Sequence, residues 1–142
     1  MSFLSKEQQT QISDSISLAE KNTSGEVVLY ICKKCKKDIY HYAQEIFNKK
    51  GLYKTAQRNA VLIMLSYQDH KLAVIGDEGI NTIVEGDFWD DVIKHMTDNF
   101  KNNAYTEGLS EGINMIGEKL KVHFPYQSDD VNELPNEIIH ED

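Results

Sequence analysis

The stretch Arg58–Gly79, RNAVLIMLSYQDHKLAVIGDEG, decides the fold. Residues 59–66 and 70–75 are apolar runs of strand length, rich in branched side chains that suit a buried sheet. Tyr67-Gln68-Asp69 between them is short enough to force an antiparallel hairpin. The second run then passes directly into Gly76-Asp77-Glu78-Gly79, which delivers two carboxylates, flanked by glycines, to one sheet edge.

Upstream, Glu26–Cys32 (EVVLYIC) has the same strand character. Ser5 with Gln8 forms a capping-box pattern, and Ile12, Ile16 and Ala19 follow at helical spacing, predicting a helix over about 6–22 that stops at Thr23-Ser24-Gly25. Asp38 suits the N-cap of a second helix with Ile39, Tyr42, Ala43, Ile46 and Phe47 on one face, and Gly51 suits its C′ position. After Gly79 the pattern predicts a loop, then a helix capped by Asp87 with Phe88, Val92, Met96 and Phe100 inward. A last helix carries Leu109, Ile113, Ile116 and Leu120 and ends at Phe124-Pro125. The order is α-β-α-β-β-α-α. A helix between the first two strands makes them parallel if they share a sheet. The expected fold is α/β, a small mixed sheet of parallel strands plus an antiparallel hairpin, covered by helices.

That topology has a chemical consequence. With the third strand antiparallel to the other two, its end lies beside their starts. Gly76–Gly79 then shares an edge with Ser24-Gly25-Glu26 and Arg58-Asn59. Glu26, Asn59, Asp77 and Glu78 form a set of oxygen donors suited to a hard cation such as Ca²⁺ or Mg²⁺. Arg58 could instead bind a phosphate or neutralise the carboxylates. A Gly-Asp-Glu-Gly turn with solvated acids is the plainer alternative.

The 142 residues are the length of one domain with its own core. The formal net charge is −8, which opposes nucleic acid and anionic membrane surfaces. The charge is uneven. Of 23 acidic residues, six lie after Pro125 with no Lys or Arg among them, leaving 17 against 15 basic residues in the body. The division expected is a folded domain, 1–125, and an acidic tail, 126–142, in which Tyr126, Val131, Leu134, Ile138 and Ile139 are apolar anchors. The tail is a candidate docking segment for a protein partner. The N-terminus lacks the pattern of a signal peptide, and no run reaches the ~18 apolar residues that span a bilayer. A thiol-reduced, cytoplasmic protein without membrane insertion is expected.

Cys32-Lys33-Lys34-Cys35 is a C-x-x-C among lysines between a strand and a helix, the place of a redox pair. However, the two prolines, Pro125 and Pro135, do not precede a strand that could present a cis-proline to it. The five histidines are scattered, and Walker A, dinucleotide and H-E-x-x-H motifs are missing.

Leu4–Ile31 with Thr23-Ser24-Gly25-Glu26, Arg58-Asn59 before the second strand, Gly76-Asp77-Glu78-Gly79-Ile80, the helices of 88–125 and the ending His123-Phe124-Pro125 together resemble the TPM domain. That family is named for thylakoid-lumen, photosystem II repair and acetylcholine-receptor accessory proteins and is often labelled a phosphatase family; this chain is similar to its short, cytoplasmic bacterial members. The resemblance implies a Rossmann-like sandwich with helices on both faces, and an acidic crevice for a divalent cation, with calcium associated with the family. It also implies acid phosphatase activity. On this chain the metal roles fall on Glu26, Asn59, Asp77 and Glu78, and the catalytic roles on Asp77, Glu78 and Arg58. Members often carry Asp before the equivalent of Asn59, where this chain has Arg58. The phosphatase signatures C-x₅-R, R-H-G and D-x-D are missing. A carboxylate-held metal that activates water is then the remaining hydrolytic route. The expected function is a binding, assembly or quality-control module. Metal-dependent hydrolysis of phosphomonoesters is the alternative, and a thiol-redox role stands behind both.

Overall fold

The computed structural model describes residues 3–125 and 137–141. Tyr126, Val131 and Leu134 lie outside the described residues. The elements are α1 (Lys6–Glu20), β1 (Glu26–Cys32), α2 (Ile39–Lys49), β2 (Ala60–Ser66), β3 (Lys71–Gly76), α3 (Glu78–Asn81), α4 (Phe88–Lys101), α5 (Tyr105–His123) and β4 (Glu137–His140), with a 3₁₀ turn at Leu52–Lys54. They build a mixed α/β fold on a four-stranded sheet of order β3-β2-β1-β4. β1 is parallel to β2 and to β4, and the β2–β3 hairpin is antiparallel.

Strand parity explains the layers. Val27, Leu29 and Ile31 of β1, with Val61, Ile63 and Leu65 of β2, join the core shared with Ile12, Ile16, Val92, Met96, Leu109, Ile113 and Leu120 from α1, α4 and α5. The alternate residues Val28, Tyr30, Leu62 and Met64 face Ile39, Ala43, Ile46 and Phe47 of α2. All seven residues of both β1 and β2 are buried, as strands covered on two faces must be.

Local signals act as expected at several ends. Ser5 and Gln8 complete the capping box of α1, and Asp38 accepts from the His41 amide at the start of α2. Gly51 takes the left-handed conformation, φ 68°, just beyond the α2 C-cap. Three features differ from the sequence reading. The segment after Asp77 is a short helix, α3, where a loop was expected. Asp87 precedes α4 but makes no side-chain capping bond. Glu137–His140 returns to the sheet as a fourth strand, which a four-residue run within an acidic stretch does not announce.

Candidate functional site

The segment Gly76–Gly79 leaves β3 at the edge where β1 and β2 begin. Backbone bonds fix it there. The Asp77 amide donates to Ala60 O (2.9 Å), the Gly79 amide to Arg58 O (2.8 Å), and the Glu26 amide to Asn59 O (3.5 Å). Gly79 is demanded by this approach. A Cβ at that position would stand 2.0 Å from the Gln57 carbonyl oxygen and 2.5 Å from that of Arg58. Asp77 and Arg58–Asn59 therefore share one edge, as the topology required.

Arg58 stands at φ 52°, a conformation disfavoured for a long side chain. Its guanidinium grips Asp77 through two bonds, Nε to Oδ2 at 2.6 Å and Nη2 to Oδ1 at 2.8 Å. Nη1 reaches Glu78 Oε1 at 3.1 Å. Asp77 Oδ1 also accepts from the Glu78 amide at 2.8 Å, which caps α3. Such a bidentate, charge-assisted pair is strong and geometrically fixed. The two acids are unequal: the Asp77 side chain is 5% exposed and that of Glu78 70%.

Glu26 is buried and meets a residue that sequence reasoning missed. Glu20, the last residue of α1, hydrogen-bonds Glu26, and its Oε2 accepts from the Val27 amide at 2.7 Å. Burial pushes the Glu20 carboxyl up to about 8; the Val27 bond opposes that, while the neighbouring Glu26 adds to it. Burial thus favours the protonated form of Glu20 beside Glu26. No local signal marks Glu20, because its partners come from the start of β1 beyond a turn.

Asn59 is buried, its Nδ2 donating to Ser24 Oγ at 3.2 Å, and Gln57 Nε2 donates to the same hydroxyl at 3.0 Å. Asn59 Oδ1 is buried without a partner among the described residues. The contacts thus fall into two groups, Arg58–Asp77–Glu78 and Glu20–Glu26 with Asn59–Ser24. Arg58 and the Glu78 amide engage both Asp77 oxygens, and the guanidinium sets a positive charge beside them that opposes a Ca²⁺ or Mg²⁺ ion at this carboxylate. Among the described residues, no group of three or more His, Cys, Asp or Glu is disposed to hold a metal ion.

The opposite edge, where β1, β2 and β4 end, has another character. Cys32 and Cys35 are free and buried, and burial pushes the Cys32 thiol up, away from a reactive thiolate. The Cys35 amide donates to Asp69 Oδ2 (3.1 Å), and Ser66 donates its hydroxyl to Asp69. Here Lys34, Cys35, Lys36, Lys37, Tyr42 and Glu141 line an open cavity of about 250 Å³. A more apolar cavity of about 270 Å³ lies along the β2–β3 hairpin, between Leu65, Leu72, Phe100 and Tyr105.

Similarity to known proteins agrees with this architecture. The family model described as the TPM domain matches residues 1–119. The chain belongs to the TPM-domain family. The BA42 protein of the psychrophilic bacterium Bizionia argentinensis shares 36% identity with it, over 99% of this chain and 97% of that one, with a TM-score of 0.92. N-terminal domains from Corynebacterium glutamicum (10% identity, 92% of this chain and 82% of that one, TM-score 0.69) and from P. gingivalis (17%, 87% and 82%, TM-score 0.71) share the fold. No curated protein matches the chain. Among the described residues of this TPM domain, no helix is long and apolar enough to cross a membrane.

Proposed function

We propose that this TPM domain is a protein-binding module of the assembly or quality-control type, with no hydrolytic centre at its acidic edge. One observation carries the reading: Arg58 takes both oxygens of Asp77 and also reaches Glu78. A metal-dependent phosphatase needs carboxylate lone pairs for the ion and a free base for water. Here the buried Asp77 is paired with Arg58, and Glu26 is hydrogen-bonded to Glu20. The Arg58–Asp77 pair, with the Gly79 contact behind it, instead ties α3 to the entry of β2. A C-x-x-C redox role is likewise disfavoured by the raised Cys32 thiol.

Purified protein incubated with a generic phosphomonoester, with and without Ca²⁺, Mg²⁺ or Mn²⁺, should give no turnover above the buffer. Metal-dependent turnover that disappears in both Asp77→Asn and the exposed Glu78→Gln variant would overturn the module and restore the phosphatase.

A further inference from the structure

In open α/β sheets, ligands bind outside the carboxyl ends of the strands, at the point where the chain leaves neighbouring strands in opposite directions. In this sheet the carboxyl end of β1 opens onto a crevice lined by the Lys34–Lys37 loop and Glu141. The connection from β1 to β2 runs through α2 on one face, and β4 joins the other side of β1 after α5 on the opposite face.

The crevice is already filled by the chain itself. β4 pairs with Val28–Ile31, and the Glu141 amide extends the ladder to Ile31 O at 2.9 Å. Ile138 packs into the core on the α1 side and Ile139 into the core on the α2 side. Glu141 then turns its carboxylate onto two tyrosines: the hydroxyls of Tyr30 and Tyr42 both donate to Oε2. That carboxylate lines the cavity with Lys34, Lys36 and Lys37. Lys37 pairs with Glu45 at 2.9 Å, while Lys34 and Lys36 pair with no carboxylate among the described residues. Among the described residues, Lys34 and Lys36 thus stand beside the Glu141 carboxylate without an ion pair of their own.

We propose that the crevice between β1 and the Lys34–Lys37 loop is a docking site for an extended acidic segment of a partner protein, which the chain's own residues 137–141 occupy in cis. The partner segment adds as a strand to β1, places one apolar side chain on each face of the sheet, and presents a carboxylate to Tyr30, Tyr42 and the lysines. Main-chain pairing supplies affinity, and the alternate side chains with the final acid supply specificity. The cis strand is held by four residue pairs at the sheet edge. The proposal requires this strand to open at lower free energy than the domain unfolds. The proposal deepens the binding-module reading, on which it rests.

The test uses the full chain carrying Ile138→Asp and Ile139→Asp, which releases the strand, titrated with the synthetic peptide EIIHED and followed by amide NMR shifts. Shifts confined to β1 and Lys34–Lys37 are expected, with binding at least about tenfold weaker when the fifth residue of the peptide is Gln. The native chain should bind at least about tenfold more weakly than the variant, because its tethered strand competes at high effective concentration. Equal affinity for the Gln peptide, shifts elsewhere, or no binding to the folded variant would each overturn the site. Equal competition by inorganic phosphate would reassign it to small anions. Concentration-dependent dimerisation of the variant would reassign it to a second copy. If the double variant does not fold, hydrogen exchange on the native chain decides. The Glu141 amide must exchange at least about a hundredfold faster than the β2 amides, and exchange only by global unfolding would sink the proposal. A positive phosphatase assay would overturn the module reading and leave these peptide outcomes unchanged.

Discussion

The two ends of the sheet solve opposite problems. At the end where β1 and β2 begin, the charged and polar groups are largely consumed by one another: Arg58 by Asp77 and Glu78, Glu20 by Glu26, Ser24 by Asn59 and Gln57. At the end where they finish, Lys34 and Lys36 have no ion pair among the described residues beside an open cavity. The Gly76–Gly79 motif lies at the first end, and the C-x-x-C with its lysines lies at the second. A conspicuous motif can therefore be a brace. Gly76-Asp77-Glu78-Gly79 locks a strand exit onto a strand entry, whereas the lysine loop borders a cavity.

Perturbing each end separately tests that contrast. The largest effect should come from Gly79→Ala. Its methyl must displace the Gln57 and Arg58 carbonyls, and urea denaturation should show a loss of about 3 kcal/mol or more. Arg58→Ala should follow, because it leaves Asp77 buried without its cation. Its melting temperature should fall clearly further than that of Glu78→Gln, whose side chain is mostly in water.

A smaller effect should appear at Glu20. Its folded pKa of about 8 lies above the ordinary 4.5. The stability held by this carboxyl is complete below the ordinary value and is lost as pH rises through the folded one. Glu20→Gln should keep the bond to the Val27 amide and flatten the fall in melting temperature between those two values. Smaller again is the response to cations. Arg58→Asp accepts the left-handed backbone and exchanges a cation for a ligand, so Ca²⁺ should raise its melting temperature more than that of the native chain. The least effect should come from Lys34→Gln with Lys36→Gln at the far end. Stability there should stay within about 0.5 kcal/mol, because both side chains are exposed and bear no ion pair among the described residues.

The sequence made the strands, their pairing and the acidic edge legible for a physical reason. Continuous branched apolar runs have few uses other than a doubly covered strand, and a three-residue connection leaves little choice of hairpin. Placing Asp77 beside Arg58 followed from that topology alone. The details that change the chemistry were not legible. Glu20 reads as a solvated residue at a helix end, and its partners appear only once the chain has turned into β1. α3 is four residues long, too short for periodicity to separate a helix from a turn. Tyr30 and Tyr42 read as strand and helix residues, and their hydroxyls converge only when Glu141 arrives from the far end of the chain.

β4 has one more consequence. β1 is buried along its whole length, and β2 pairs with only one of its edges. Without Glu137–His140, the other edge would present a row of unpaired amides and carbonyls between branched apolar side chains, the template on which extended chains from different molecules assemble. Glu137–His140 thus covers that edge of β1.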